Sequence, residues 1–291
     1  MRVTRFSVAK KDIISYFDND GRQVFSFEDM AKILYKHRSF WRLPVNLSLN
    51  DFIGLMTDNT KLREYQVRFP TVHFIKFAWG HITPFTLAMS LKKSCYFTHY
   101  TALFLHGLTE QVPKMIYLTS ELTKKSFVNN RLSQTDIDRA FANPPRISSN
   151  VATLRDYRLC LLYAKFTDRL GVKEMTSRQN ERIVVTDIER TLIDAVVRPF
   201  YSGGIYEVLQ AYKKAEGTVS INKLTAMLRK LGYVYPYHQA IGFLLERTGM
   251  YKESQIQLLK EFDFKYDFYL THQIKEPVYS EQWKLYYPKG F

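Results

Sequence analysis

Residues Ser48–Trp79 read SLNDFIGLMTDNTKLREYQVRFPTVHFIKFAW, and this stretch predicts a helix followed by two strands. Ser48 with Asp51 three residues later is typical of a capped helix start, and the apolar residues that follow lie on one helical face. Apolar and polar residues then alternate on both sides of Pro70, as they do in two strands joined by a turn. The stretch therefore predicts a helix that leads into a β-hairpin.

Two further helices are predicted upstream of this stretch. Residues Val8–Phe17 place apolar side chains at helical spacing and end at the turn DNDG. The next helix begins at Ser26, and Asp29 completes a capping-box pattern. Helix, helix, helix and hairpin over residues 1–80 is the order of a winged helix-turn-helix DNA-binding domain. A small α+β domain without a role on DNA fits the same pattern.

Residues 81–291 predict a larger, mixed α/β domain, so the fold class of the chain is α+β. The segments KMIYLTS and ERIVVTD are typical of short buried strands, and the tails FDFKYDFYL and WKLYYPKGF alternate as strands do. Helices are predicted in SQTDIDRAF, SINKLTAMLRKLG and YPYHQAIGFLLERTG, and a glycine ends each of the last two. Residues Thr123–Arg131 are predicted to form a mobile loop.

The charge of the chain favours a polyanionic partner. Its 291 residues include 42 Lys and Arg against 28 Asp and Glu, and the net charge of +14 is spread along the chain. The only cysteines, Cys95 and Cys160, lie far apart in apolar contexts, which argues for a reducing compartment and against a disulfide framework or a four-cysteine zinc site. Since no segment has the apolar length of a signal peptide or a membrane span, we expect a cytoplasmic protein without a membrane partner.

The stretch YFTHYTALFLHGLTEQ contains two histidines, His99 and His106, on one predicted helix that Thr98 begins. Seven residues separate them, so they lie roughly 10 Å apart along the helix axis. Paired helical metal ligands are usually one turn apart, because two imidazoles must converge on one ion. An imidazole in the last helical turn also bonds free carbonyls. We therefore favour a structural role for both histidines over a metal or catalytic one.

The segment VTDIERTLIDAVV carries the carboxylates Asp187, Glu189 and Asp194 around Arg190. A strand followed by an acidic helix start is compatible with a nuclease. Helix capping by Thr186 and Glu189, with Arg190 and Asp194 as an i,i+4 pair, accounts for the same residues. A metal nuclease also needs a second acidic element and a lysine, and neither is evident in the sequence. No glycine-rich phosphate loop is present, so we expect no catalytic site, no metal and no cofactor.

Several motifs taken together resemble the abortive-infection AbiEi-like family. They are RSFWRLP, the stretch from YFTHYTALFLHGLTEQ to IYL, LSQTDIDRAF, VTDIERTLIDAVVRP, GGIYEVLQAYKKA and YVYPYHQAIGFLLERTG, in this order from about Ala9 to Arg247. Members of this family are type IV antitoxins that also regulate transcription. The resemblance implies an N-terminal winged helix, residues 1–80, that binds inverted repeats of double-stranded DNA in its own promoter. It further implies an antitoxin domain, residues 81–291, that counters a nucleotidyltransferase-like toxin without a stable complex.

The helix in the recognition position is acidic, because it carries Asp51 and Asp58 and no Lys or Arg. If the domain binds DNA, basic residues on both sides of this helix should supply most of the affinity through phosphates. These candidates are Lys36, Arg38, Arg42, Lys61, Arg63, Arg68 and Lys76. Ser48 and Asn50 are the candidates for reading base edges. The alternative from another class is a metal-dependent nuclease that a winged helix brings to its substrate.

Overall fold

The computed structural model describes residues 2–124, 132–154, 156–177 and 180–291, and of residues 2–4 it describes the backbone alone. The fold is mixed α+β, as the sequence predicts. The chain forms two compact units. The first contains Met1–Lys93 and Asn150–Arg158, and the second contains Ser94–Ser149 and Leu159–Phe291. Among the described residues, no helix has both the length and the apolar character that crossing a membrane requires.

The first unit runs helix, strand, helix, helix, strand, strand, and then adds a helix and a distant strand. Its elements are α1 (Arg2–Asn19), β1 (Val24–Ser26), α2 (Phe27–His37), α3 (Leu49–Asn59), β2 (Leu62–Arg68), β3 (His73–Trp79), α4 (Pro84–Leu91) and β6 (Val151–Leu154). The three strands β1, β2 and β3 form an antiparallel sheet in the order β1-β3-β2. The predicted hairpin around Pro70 is therefore present, and β1 extends its sheet.

Local sequence sets the starts of α2 and α3. The Ser26 hydroxyl accepts the backbone N–H of Asp29, and the Asp29 carboxylate accepts the backbone N–H of Ser26, which confirms the predicted capping box. The Ser48 hydroxyl accepts the N–H of Asp51 in the same way. Both helices then bury their apolar faces in one core with α1 and the sheet.

Two features of the first unit differ from the prediction. Helix α1 begins well before Val8, because Phe6 and Ala9 continue the stripe of Ile13 and Phe17 and are buried with them. Strand β1 was not predicted from the sequence. Its three residues are too few for an alternating pattern, and its place depends on pairing with β3.

The second unit packs a mixed sheet and a group of helices. Its strands are β4 (Tyr96–Phe97), β5 (Met115–Glu121), β7 (Tyr157–Ala164, of which residues from Leu159 belong to this unit), β8 (Val172–Thr176), β9 (Arg182–Thr186), β10 (Phe268–Tyr269), β11 (Pro277–Ser280) and β12 (Leu285–Pro288). Its helices are α5 (His99–Leu105), α6 (Gln134–Ala142), α7 (Ile188–Val197), α8 (Ile205–Lys214), α9 (Ile221–Leu231), α10 (Tyr237–Thr248) and α11 (Glu253–Lys260), with a 3₁₀ turn at Pro199–Tyr201.

The main sheet of this unit places β7, β5, β4, β9 and β8 side by side in that order. Strand β4 pairs antiparallel with β5 and parallel with β9. Helices α7 to α11 share one hydrophobic core, and the three short strands at the end of the chain pack against it in the order β10-β12-β11. As predicted, Ser220 caps α9, and Gly232 and Gly249 end α9 and α10 in left-handed conformations.

Three local predictions for the second unit need correction or stay open. The tail FDFKYDFYL forms a strand only at Phe268–Tyr269, because its first aromatic side chains pack against α10: Phe262 stacks on His238, and Phe264 makes a T-shaped contact with the same ring. Thr98 stands at the N-cap of α5, yet its hydroxyl bonds Thr119 instead of capping the helix. The predicted mobile loop lies largely at residues 125–131, outside the described residues.

Candidate functional site

The outer face of α3 is small and acidic. Phe52, Ile53 and Met56 point into the core, whereas Asn50, Asp51 and Asp58 are exposed. Gly54 lies between them, and the space beside it is open. The hydroxyl of Ser48 is occupied by its capping bond. Ser48 and Asn50 are the two residues predicted to contact base edges. Only the Ser48 side chain takes part in the helix cap, so Asn50 is the better candidate for such a contact.

The connection between α2 and α3 carries three of the predicted basic residues, and the structure separates their roles. Lys36 and Arg42 are exposed, and Arg42 has a left-handed backbone with φ of 52°. The Arg38 guanidinium is half-buried, and its Nη1 donates to the carbonyls of Pro44 at 2.6 Å and Val45 at 2.8 Å. Arg38 therefore braces the connection that positions α3.

The β2–β3 hairpin places Arg63 and Arg68 on opposite faces. The register pairs Arg68 with His73 and Leu62 with Trp79, and these pairs lie on one face because side chains alternate along a strand. Leu62 and Trp79 belong to the core that α1, α2 and α3 cover, so Arg68 lies on the helix side of the hairpin. Its Nη2 donates to the exposed Gln66 at 2.6 Å.

Arg63 pairs with Ala78 on the other face of the hairpin. Its Nη1 donates to the carbonyls of Thr60 and Leu62, at 3.2 and 2.9 Å. Ala78 and Val67 are fully buried on this face, and α4 and β6 contact the hairpin. Although Arg63 is exposed, it does not share a surface with Arg68.

The other two predicted lysines are engaged within the unit. Lys61 forms an ion pair with Asp18 at 2.8 Å and lies over the Trp79 ring. Lys76 is half-buried on the same face as Arg63 and pairs in register with Ser26. Burial lowers the pKa of Lys76 despite the nearby Asp29 carboxylate. The predicted phosphate-binding residues thus fall into two groups. Lys36, Arg42, Arg63 and Arg68 are exposed, whereas Arg38, Lys61 and Lys76 contact or are buried against other residues of the first unit.

The two histidines of the second unit meet different neighbours. His99 is buried with a left-handed φ of 52°, and its ring lies against Tyr117 and Tyr201. Burial lowers the pKa of His99 to about 4. His106 lies 2.6 Å from the carbonyl of Thr186 through Nε2, so it bonds a strand carbonyl instead of the end of its own helix. No three His, Cys, Asp or Glu side chains of the described part of the chain are grouped so as to hold a metal ion.

Acidic residues at the start of α7 form ion pairs with a lysine of α9; this group of Asp187, Glu189 and Lys223 is called the clamp. The N-cap is Asp187, whose carboxylate accepts the N–H of Arg190, so the predicted capping box of Thr186 and Glu189 is wrong by one residue. Lys223 Nζ lies 2.9 Å from Asp187 and 2.8 Å from Glu189. This lysine beside the two carboxylates was not evident in the sequence, because it lies 34 positions after Glu189.

The remaining oxygens of this clamp are also occupied. Glu189 accepts the backbone N–H of Ser220, the residue that caps α9. Burial alone would raise the pKa of Glu189, but the hydrogen bonds from Lys223 and Ser220 outweigh it, and the pKa is lowered. The arrangement joins the starts of two helices and favours the charged form of Glu189.

Arg190 and Asp194 form a buried ion pair at the edge of a cavity. Arg190 Nε lies 2.8 Å from Asp194 Oδ1, and both side chains are under one-tenth exposed. The sequence predicted this pair, but not its burial or the cavity of about 120 Å³ beside it. Thr98, His99, Arg198 and Tyr233 also border the cavity. These residues come from three segments of the chain, at the start of α5, along α7 to its C-cap and after α9, and no sequence pattern joins the three segments.

Comparison with known proteins finds a shared fold. The crystal structure of the RV2827C protein from Mycobacterium tuberculosis matches with a TM-score of 0.62 at 15% sequence identity. The match covers 97% of this chain and 91% of that chain. No protein-family model and no curated protein matches the chain. At this identity the likeness concerns the fold alone.

Proposed function

We propose that the protein is a DNA-binding autoregulator and the antitoxin of a type IV toxin–antitoxin system, without catalytic activity of its own. The first unit would bind double-stranded DNA as a winged helix. The second unit would counter a nucleotidyltransferase-like toxin without a stable complex. The observation that carries the DNA-binding part is the order of the first unit, α1-β1-α2-α3-β2-β3 with the sheet β1-β3-β2, which matches the order of a winged helix.

The surface beside α3 supports contact with phosphates more than reading of bases. Arg68, Gln66 and His73 lie on the helix side of the hairpin, and Arg42 is exposed in the connection before α3. The outer face of α3 offers Asn50 as a reader of base edges, and its two carboxylates oppose the DNA charge. Affinity should therefore come from the hairpin and the α2–α3 connection.

The antitoxin part rests on the AbiEi-like resemblance. One of its two most specific segments, VTDIERTLIDAVV, ends strand β9 and forms α7, of which residues 189–196 are buried; the other is the helix that ends in HGLT. The segment thus forms part of the core of the second unit. Because its residues are buried, the resemblance supports a fold shared with the AbiEi-like family more directly than it supports a surface that contacts the toxin. Co-expression with a nucleotidyltransferase-like toxin is the assay for this activity.

The nuclease alternative gains the lysine that the sequence did not show, because Lys223 lies beside Asp187 and Glu189, but among the described residues no third acidic side chain joins them and both carboxylates are already occupied. Asp187 caps α7 and pairs with Lys223, and Glu189 holds Ser220 and the same lysine. A divalent ion would have to displace Lys223 before it could bind both carboxylates. We therefore favour the binding protein over the enzyme.

The test is a salt titration of binding to the protein's own promoter and to scrambled DNA. With about four phosphate contacts per protomer, log K should fall against log salt with a slope of about −3 to −4. Arg68→Gln should weaken binding to both DNAs and reduce the slope by about one unit. Arg63→Gln, on the other face of the hairpin, should have the smaller effect. Asn50→Ala should leave the slope unchanged and reduce promoter preference by about 1–3 kcal/mol.

The matched control is Arg139→Gln, which removes one exposed arginine from α6 in the second unit. It should bind both DNAs as the unmodified chain does. Binding that is insensitive to salt, or an Arg68→Gln variant that behaves as the control does, would contradict the winged-helix assignment. Cleavage of the DNA when magnesium is added to the same mixtures would favour the nuclease.

A further inference from the structure

The cavity at the Arg190–Asp194 pair lies wholly within the second unit and takes no part in the proposed DNA contact. At about 120 Å³ it is several times larger than the 10–15 Å³ or so that one water molecule requires, so it has room for a small polyatomic ion. Its lining is apolar over much of its extent, and the charged side chains of Arg190, Asp194 and Arg198 and the hydroxyl of Thr98 stand among these apolar groups.

The charges around the cavity favour an anion. Arg190, Arg198 and Lys165 line it, and Asp194 is the one carboxylate among the described residues that do so. His99 is neutral at pH 7 because its pKa is about 4, so it does not change this balance. Arg198 has no carboxylate partner in the described part of the chain, and its guanidinium lies 6.0 Å from the centre of the Tyr201 ring. The cavity therefore has more positive than negative charge.

Hydrogen-bond donors also remain unused at this site. Among the described residues, Arg190 Nε donates to the Asp194 carboxylate, and Arg190 Nη1 donates to the Leu170 carbonyl and the Thr167 hydroxyl. The Nη2 group of Arg190 can therefore donate to another acceptor. The hydroxyls of Thr98 and Thr119 share one bond of 2.8 Å, so one of their two hydrogens is also left over. These groups suit the oxygens of an anion.

One acceptor stands among these donors. Asp194 Oδ1 receives Arg190 Nε and, at 3.5 Å, the Tyr233 hydroxyl, while Oδ2 accepts no hydrogen bond from the described residues. A carboxylate oxygen is an acceptor only, and it repels any anion that brings no hydrogen. Sulfate has no hydrogen at neutral pH. Inorganic phosphate carries one in a large part of its molecules near neutral pH, and phosphate monoesters, whose second pKa is about 6, carry one in a smaller part.

We propose that this cavity binds a phosphate group, with Arg190, Arg198 and a threonine hydroxyl donating to its oxygens and Asp194 Oδ2 accepting its hydrogen. The group can belong to free phosphate or to the monophosphate of a nucleotide, since both present the same atoms. The site goes beyond the proposed function, because it lies outside the DNA-binding residues. Loss of DNA binding in Arg68→Gln leaves it unaffected, so the two proposals fail separately.

The test is calorimetric titration of the full chain with sodium phosphate and with sodium sulfate at pH 7 and equal ionic strength. We expect phosphate to bind at least about tenfold more tightly, the effect of one hydrogen bond to a charged group. The basic surface of the first unit would bind the more highly charged sulfate at least as well as phosphate. A third titration with adenosine 5′-monophosphate separates the sources: tighter binding than phosphate indicates a nucleotide, and weaker binding indicates the free ion.

Three variants locate the binding. Arg198→Gln should weaken phosphate and sulfate alike, because the half-buried Arg198 serves both anions through its charge. Asp194→Asn should remove the preference for phosphate, and since it breaks a buried ion pair its folding must be verified first. Arg139→Gln, the exposed control in the same unit, should change nothing. Equal affinity for the two anions in the unmodified chain, or full phosphate affinity in a folded Arg198→Gln variant, would overturn the proposal.

Discussion

Two histidines of the second unit are buried without a charge partner. His99 and His238 are under one-tenth exposed, and each has one ring nitrogen without a hydrogen-bond partner among the described residues. Burial lowers both pKa values to about 4. His238 stacks on Phe262, with ring centres 4.8 Å apart, and meets the edge of Phe264. At the residue scale, these histidines serve as aromatic core side chains that must stay neutral.

This burial predicts a loss of stability in mild acid. The unfolded chain, in which histidine has a pKa of about 6.5, takes up protons before the folded chain does, so the free energy of unfolding falls as the pH drops from 6.5 towards 4. Each of the two histidines should contribute about 2 kcal/mol to this loss between pH 7 and pH 5. Urea unfolding at pH 7, 6 and 5 measures it.

His238→Phe keeps the aromatic ring and removes the titrating group, so it should reduce the loss between pH 7 and pH 5 by about 2 kcal/mol. The exposed His81→Gln is the control and should keep the full loss. Unchanged pH dependence in His238→Phe would show that this imidazole does not stay neutral in the folded chain.

Helix α10 packs closely against Trp283, near the end of the chain, at Gly242. A Cβ atom at Gly242 would lie 2.0 Å from the Trp283 ring, which is fully buried. The Trp283 indole donates to Glu246 on the same helix at 2.8 Å, and the Gln239 amide donates to the Trp283 carbonyl at 2.9 Å. At the scale of elements, a glycine within a helix is required here by tertiary packing and not by backbone conformation.

Two glycine substitutions test this difference. Gly242→Ala should destabilise the chain by about 1–3 kcal/mol or more, because the indole cannot move without losing its bonds. Gly54→Ala, in the interior of α3 with open space around it, should stabilise by about 0.5–1 kcal/mol through helix propensity. Chemical unfolding of both variants against the unmodified chain measures the contrast. Equal effects in the two helices would mean that the indole is free to shift.

The whole molecule consists of two units with different proposed tasks. The first holds the exposed basic residues beside α3, and the second holds all but one of the segments that carry the antitoxin resemblance. The helix α4 and residues 150–158 belong with the first unit, so a cut at residue 80 would divide it. Point substitutions in the full chain therefore test the division of tasks more cleanly than truncation does.

Arg68→Gln should weaken DNA binding and leave neutralisation of the toxin unchanged. Expressed from an unrelated promoter, it should rescue growth against the toxin as the unmodified chain does, while repression of a reporter under the native promoter falls with its DNA affinity. Arg139→Gln should retain both activities. If Arg68→Gln lost rescue at equal protein level, neutralisation would require the DNA-binding surface, and the assignment of residues 81–291 as sufficient for it would be wrong.

Local chemistry let the sequence determine much of the fold. Ser26 with Asp29, Ser48 with Asp51, and Gly232 act through neighbours within a few residues, so their roles are readable without a structure. The alternation around Pro70 likewise predicted the hairpin, since both strands are half-buried. The mixed α+β class and the pairing of Arg190 with Asp194 followed from the same short-range patterns.

Only the tertiary structure decided what depends on distant pairing. Lys223 meets Asp187 across 36 positions, and no local pattern encodes that contact. Alternation along a strand already places Arg63 and Arg68 on opposite faces, and the burial of Leu62 and Trp79 against the helices decides that the Arg68 face is the helix side. The cavity beside Asp194 is likewise lined by residues of α7, β4, β5 and the loop after α9, which are far apart in the chain. Capping and periodicity act over a few residues, whereas ion pairs, strand faces and cavities arise where segments far apart in the chain meet.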